Sequence, residues 1–188
     1  MDSIDKISMS SATNFVATKT TTTTQNMEQH PLYDKWVLWA HLPHDTDWSI
    51  KSYKHIMQVE TVEQVLSLYS IIPEKLVKNC MLFLMRKGIG PTWEDPQNRE
   101  GGCFSFKVAN KDVHSIWRNL SFMLLGETLS NDHRMLKNIT GITISPKRSF
   151  CIIKIWLRNC MVQNPEVLDR VPGLSFQGCI FKRHKPTY

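Results

Sequence analysis

The run from Phe150 to Leu157 sets the strongest limit on the fold. Cys151, Ile153, Ile155 and Leu157 fall on one side of it, and Ile152, Lys154 and Trp156 on the other. Successive side chains of a strand point to opposite faces, so this segment reads as a strand with one apolar face and one face carrying a cation beside an indole. Similar short runs recur along the chain. Lys35–Ala40, Tyr53–Glu60, Met81–Arg86, Cys103–Val108, Ile139–Ser145 and Leu174–Phe181 all read as strands. The turn Pro146-Lys147-Arg148-Ser149 joins two of them as a hairpin. Helical signals lie between the strands. Thr61 and Gln64 form a capping box for a helix to about Ile72, stopped by Pro73. Asn110 is expected to cap a second helix with Val113, Ile116, Trp117, Leu120 and Leu124 on one face, ending near Gly126. Asn164-Pro165 opens a short third helix closed by Pro172-Gly173. Hairpin-like strands with interspersed helices predict an α+β layout, an antiparallel sheet with helices on one face.

Other classes are excluded by composition. No stretch approaches eighteen consecutive apolar residues, so no membrane span is expected. No apolar h-region follows the first charges, which predicts no secretory signal. The five cysteines are scattered, odd in number and lack Cys-x-x-Cys, which argues against a disulfide framework or zinc site and for a reducing cytosolic or nuclear compartment. Residues 1–29 are rich in Ser and Thr and poor in apolar side chains, and are expected to be a disordered tail preceding one folded domain, 30–188. That tail holds two basic and three acidic residues, so the folded part, with 21 basic and 14 acidic groups, carries +7. This charge hints at an anionic partner.

The stretch Gly88-Ile-Gly-Pro-Thr-Trp93-Glu94-Asp-Pro-Gln-Asn-Arg-Glu-Gly-Gly102 has four glycines and two prolines, and reads as a long loop. Either Trp93 folds back to plug the core, or its indole and the neighbouring Glu94 present a surface for an electron-poor aromatic ligand with N–H donors. Trp36, Trp39 and Trp117 sit in apolar patterns and read as core. Trp48 and Trp93 sit in polar loops, and two such residues can form the jaws of a stacking site. Lys154 and Trp156, next to Lys147-Arg148, suggest a basic rim around an aromatic floor. Enzyme signatures are missing: there is no Gly-x-Ser-x-Gly, P-loop, Gly-x-Gly-x-x-Gly or His-Glu-x-x-His. His41-x-x-His44 reads as a solvated pair rather than a metal ligand set. No catalytic residue, metal or cofactor is assigned.

Tyr33-Asp-Lys-Trp36-Val-Leu-Trp39, Trp48, Thr61-Val62-Glu63, Leu68-Tyr69, Gly88-Ile89-x-Pro91-x-Trp93-Glu94-Asp95, Gly101-Gly102, Trp117, Gly126-Glu127 and Ile155-Trp156 occur in that order. Over residues 30 to 181 this spacing resembles eukaryotic translation initiation factor 4E, the mRNA cap-binding family. The resemblance implies a strongly curved antiparallel sheet of about eight strands, with three helices on the convex face and a cap slot on the concave face. It implies that Trp48 and Trp93 enclose 7-methylguanine, a cationic base that adds a cation–π contribution to stacking. Glu94 would accept the N1–H and exocyclic amine, and Trp156 would lie against the methyl group. The expected function is binding capped mRNA (7-methyl-GTP or a cap dinucleotide) for translation initiation by a cytoplasmic monomer that is not an enzyme.

The chain also departs from the family. Cys103 stands where a phosphate-binding arginine is usual and Ile152 where a lysine is usual, so the phosphate grip would pass to Lys147, Arg148 and Lys154. The family docks a scaffold factor of the 4G type, and repressor proteins, on its convex back. The corresponding positions here are His30, Pro31, Val62, Leu66, Arg118, Asn119 and Phe122. Leu66 replaces an exposed tryptophan, and losing such a hot spot can cost about 2 kcal/mol of binding. A weakened or altered scaffold site is therefore expected, and the rival reading is a cap-binding repressor that does not engage the scaffold. A cap-hydrolysing enzyme, the third reading, would need a clustered glutamate helix that the sequence lacks.

Overall fold

The computed structural model describes residues 29–185. The Ser/Thr-rich tail expected over residues 1–29 lies, but for its last residue, outside them. Seven strands, β1 (Pro31–His41), β2 (Lys54–Thr61), β3 (Met81–Arg86), β4 (Gly102–Ala109), β5 (Ile139–Pro146), β6 (Phe150–Leu157) and β7 (Ile180–Arg183), form one sheet in the order β2-β1-β3-β5-β6-β4-β7. Every pairing is antiparallel. The sheet is curved but not closed, because β2 and β7 remain its two free edges. Four α-helices are described: α1 (Val62–Ile71), α2 (Glu74–Asn79), α3 (Val113–Leu125) and α4 (His133–Asn138).

The pleat sorts the side chains. Trp36, Leu38, Leu82, Leu84, Phe104, Phe106, Ile142, Ile144, Ile153 and Ile155 point to the convex side, all buried, and pack with Val65, Leu68, Trp117, Leu120, Leu124 and Leu136 of the helices. This is the main core. A smaller cluster, Phe83, Met85, Ile89, Cys103 and Trp156, lies on the concave side with Trp39 and Tyr53 against it. The alternation read along β6 holds: Cys151, Ile153, Ile155 and Leu157 are buried on the convex side, while Ile152 and Lys154 are half-exposed. Trp39, expected in the core, is half-exposed with the concave cluster, since its parity differs from that of Trp36.

Other expectations need correction. Seven strands are described rather than about eight. The last is Ile180–Arg183, not Leu174–Phe181, because Leu174 and Phe176 bury their side chains from a loop and Gly178 adopts a left-handed turn (φ 77°). Residue 112, not Asn110, precedes α3, and Asn110 Oδ1 instead accepts from the Cys151 thiol at 3.4 Å. The third helix shrinks to one 3-10 turn, Pro165–Val167, capped by Asn164 as read. Helices α2 and α4 are additions, and Pro73 begins α2 immediately after the first helix ends. At α1, Thr61 Oγ1 accepts from Gln64 N at 3.3 Å, whereas the Gln64 side chain reaches past the cap to accept from Glu60 N at 2.7 Å.

One charged group is buried in the framework. Arg86 donates to Asp34 and Glu127, both at 2.7 Å, and to the carbonyls of Ile139 (2.8 Å) and Leu136 (2.9 Å), while its guanidinium lies 4.4 Å from the Trp36 ring centre. Every direction in which it could donate is used, which is the condition for a buried cation to be tolerated. The glycine pair that returns the long loop to the sheet is equally constrained. A Cβ on Gly101 would stand 1.7 Å from the Leu157 carbonyl oxygen, and one on Gly102 would stand 2.6 Å from that of Lys182. Backbone cannot yield as a flexible side chain can. Gly101→Ala is expected to lower stability by about 1–3 kcal/mol, read as a fall in the urea midpoint. An unchanged midpoint would show that the close approach is not required.

Candidate functional site on the concave face

Two loops bring tryptophans to the concave side. The first follows β1. His41 is buried and donates from Nε2 to the Asp47 carbonyl at 2.8 Å, and its ring supports Trp48 in a parallel stack, with centroids 4.1 Å apart and planes 3° apart. Asp47 accepts from Ser49 N and Oγ at 2.7 and 2.9 Å, and these bonds hold its carboxyl below the ordinary range. One indole face of Trp48 is thus backed and the residue stays 57% exposed. His41 therefore corrects the expectation of a solvated His41/His44 pair; only His44 is exposed.

The second loop, residues 87–101, folds back over the concave face. Ile89, not Trp93, is the plug, 4% exposed among Phe83, Met85, Cys103 and Trp156. Asp95 accepts from Gly90 N and Gln97 N, both at 2.8 Å. Asn98, fully buried, donates to the Gly90 and Thr92 carbonyls at 3.1 and 2.9 Å. These bonds stiffen the loop from within, so Trp93 can remain 42% exposed without collapsing onto the core. Glu94 is exposed beside it and takes part in none of the ion pairs found among the described residues. Burial, and then the Glu94 charge, push the Tyr53 hydroxyl above its ordinary pKa. Tyr53 lies edge-on to both His41 (5.1 Å) and Phe83 (5.2 Å), so Glu94 and Trp48 flank the same aromatic ladder.

Trp156 belongs to the concave cluster. It is 7% exposed, donates from Nε1 to Thr143 Oγ1 at 3.2 Å, and is covered on one side by His184, centroid to centroid 4.4 Å. Strand register supplies the surrounding cations. Cys103 pairs across the sheet with Trp156 on one side and Lys182 on the other, and Lys154 faces Ser105 one pleat away. Burial pushes the Cys103 thiol up, an effect opposed by the charges of Lys154 and Lys182. Lys147 and Arg148 are exposed at the β5–β6 turn. His41, Asn98, Lys182 and His184 are contributors that no motif announces. Lys182 could have been found by pairing the basic run Lys182-Arg183-His184-Lys185 with the strand of Cys103.

The convex positions also cluster. Val62, Leu66 and Phe122 are exposed, and Phe122 lies edge-on to Tyr69 at 5.1 Å. His30 is tied down, its Nδ1 2.7 Å from Glu63 Oε1, and its carbonyl accepts from Val62 N at 2.9 Å. Pro31 pairs with Thr61. Asn119 donates to the Pro172 carbonyl at 3.4 Å, while Arg118 faces solvent. Among the described residues there is no group of three His, Cys, Asp or Glu side chains able to hold a metal, and no helix is long and apolar enough to cross a membrane. A cavity of about 550 Å³ lies elsewhere, beside Asp34, Arg86 and Glu127. Arg134, Lys137 and Arg158 line it beside the Arg86 ion pairs, and Tyr33 is the single aromatic residue in its lining.

The arrangement is that of an α+β domain: an open curved sheet, helices behind it and exposed tryptophans on the loops in front. The family model described as "Eukaryotic initiation factor 4E" matches residues 31–175. The chain belongs to the eukaryotic initiation factor 4E family. It is 32% identical over 171 residues to "Eukaryotic translation initiation factor 4E-2" of Schizosaccharomyces pombe, covering 86% of this chain and 66% of that protein. It is 30% identical over 128 residues to the 4E homolog of Acanthamoeba polyphaga mimivirus, covering 61% and 47%. The chain thus spans less than two thirds of the length of either relative. Among solved structures, it resembles Schistosome eIF4E complexed with m7GpppG and 4E-BP (TM-score 0.66, 22% identity, 72% of this chain and 75% of that one). It also resembles Ascaris suum eIF4E-3 with m7G cap (TM-score 0.65, 25% identity, 74% and 79%).

His184 gives this site a pH signature. Burial, and then the Lys154 charge, lower its pKa from 6.5 to about 4. The unfolded chain therefore takes up a proton near 6.5 that the folded chain refuses until about 4. Its contribution is full above 6.5 and is lost as pH falls toward 4. Denaturation midpoints of the native chain should fall more steeply over that window than those of His184→Gln. Parallel curves would contradict the buried neutral imidazole.

Proposed function

We propose that the protein binds the 7-methylguanosine cap of mRNA, without catalysis, and recruits capped message for translation initiation as a cytoplasmic monomer. The observation that carries this reading is the pair of braced, exposed indoles of Trp48 and Trp93, with the unpaired Glu94 next to Trp93 in the chain and Trp156 in the concave cluster. N7 methylation makes guanine cationic, and a cation between indole faces gains about 1–2 kcal/mol over a neutral base. Glu94 presents two acceptors to the N1–H and the exocyclic amine, a charge-assisted pair that adenine cannot reciprocate. Lys154, Lys147 and Arg148 hold the triphosphate, and Lys182 joins them in place of the usual arginine. The similar Schistosome and Ascaris suum structures are complexes with m7GpppG and m7G cap, which supports this reading.

Partner choice follows from the convex patch. Val62, Leu66 and Phe122 offer an apolar surface to a short helix of a 4G-type scaffold factor or a divergent equivalent, flanked by His30-Pro31, Arg118 and Asn119. With leucine in place of the hot-spot tryptophan, this contact is weaker than is usual for the family. The alternative, a repressor that holds caps and engages no scaffold, rests on the same substitution. Co-purification of a scaffold factor with the protein would eliminate it.

Titration by tryptophan fluorescence should give an affinity for 7-methyl-GTP at least about tenfold above that for GTP. Trp48→Ala and Trp93→Ala should each weaken 7-methyl-GTP by about tenfold or more. Equal affinities for the methylated and unmethylated nucleotides would overturn the proposal.

A further inference from the structure

The concave face does not end at the aromatic slot. Along β6, Trp156, Lys154, Ile152 and Phe150 share that face, and the register sets Cys103, Ser105, Lys107 and Ala109 of β4 directly beside them. The order away from the slot is therefore indole, cation, aliphatic, aromatic. Phe150 stands six residues from Trp156, about 20 Å along the strand at about 3.3 Å per residue. Its ring is half-exposed, and the Lys107 ammonium rests 4.5 Å from the ring centre. Opposite Phe150 is Ala109, exposed and too small to cover the ring.

A half-exposed aromatic ring and a half-exposed isoleucine share this strand face, with cations on either side. An exposed cation–π contact is weak, about 0.5–1 kcal/mol, so Lys107 is easily displaced from the ring. Its ammonium can then pair with a phosphate while the ring takes a base. A base has the right chemistry for this surface, because any base offers a π face and stacking tolerates sequence.

We propose that Phe150, Ile152 and Lys107 form a second stacking subsite, occupied by the nucleoside at the far end of a 5′–5′ triphosphate whose methylated base sits in the Trp48/Trp93 slot. The proposal rests on the cap-binding reading above, which supplies the anchor at the near end. Lys182 and Lys154 line the first stretch of the phosphate path, and Lys107 and the Lys147-Arg148 turn the second. Ile152, where the family usually carries lysine, gives up one phosphate contact and extends the apolar platform. The resulting preference is for a cap that already carries its first transcribed nucleoside.

Binding of 7-methyl-GTP, GTP and the dinucleotide 7-methyl-GpppG to the full chain tests this by calorimetry. Phe150→Ala should weaken the dinucleotide about tenfold and change 7-methyl-GTP less than twofold. Phe150→Leu, which keeps the bulk but loses the π face, should show the same split, and Phe150→Trp should restore dinucleotide affinity. If the variants weaken both methylated ligands equally, or neither, the subsite is refuted while cap binding stands. If the native chain binds 7-methyl-GTP no better than GTP, the slot reading fails and the subsite falls with it.

Discussion

The structure depends on the commitment of one sheet face to the helices. Trp36, Leu38, Leu84, Phe104, Ile142 and Ile155 are all fully buried beneath Trp117 and Leu120. At about 1.5–3 kcal/mol for a fully buried large apolar side chain, this layer supplies the main driving force for the fold. Strand geometry then dictates the rest. A period of two sends Trp39, Phe83, Lys154, Trp156 and Lys107 to the opposite side, whether or not anything there covers them. With the convex face committed to the helices, the concave face is the one left free to carry exposed aromatic and basic side chains.

An indole exposed on a flexible loop would fold inward, since burial is favourable and loop closure costs little. Both loops resist this in the same way, by filling their own interior. Ile89 plugs the second loop, with Asp95 and Asn98 consuming its backbone groups, and His41 occupies the inner face of Trp48 in the first. The tryptophans are left with one direction each, outward. Preorganisation of this kind lowers the ordering cost that a ligand would otherwise meet on binding.

Much of this was legible in the sequence. The β6 alternation gave a two-faced strand, Thr61 gave the start of α1, and Trp48, Trp93 and Glu94 stood out as aromatic and acidic residues in polar loops. What stayed hidden depends on long-range approach. His41 sits at the end of an apolar strand, and nothing local tells that its ring stacks on Trp48 seven residues later. Asn98 looks like any loop asparagine until its two carbonyl partners are seen. The final strand is hard to place because Leu174 and Phe176 carry apolar character into a loop, and burial alone does not distinguish a core loop from a strand. Helices α2 and α4, six residues each, are too short for periodicity to reveal.

A crystal structure of the protein with 7-methyl-GTP tests the central claim most directly, because it shows which face of each indole is used. The purine should lie between the outer face of Trp48 and the ring of Trp93, with Glu94 on its N1 and N2 edge and His41 still stacked behind Trp48. A purine bound outside that pair, or a Trp48 that must leave His41 to reach it, would contradict the account.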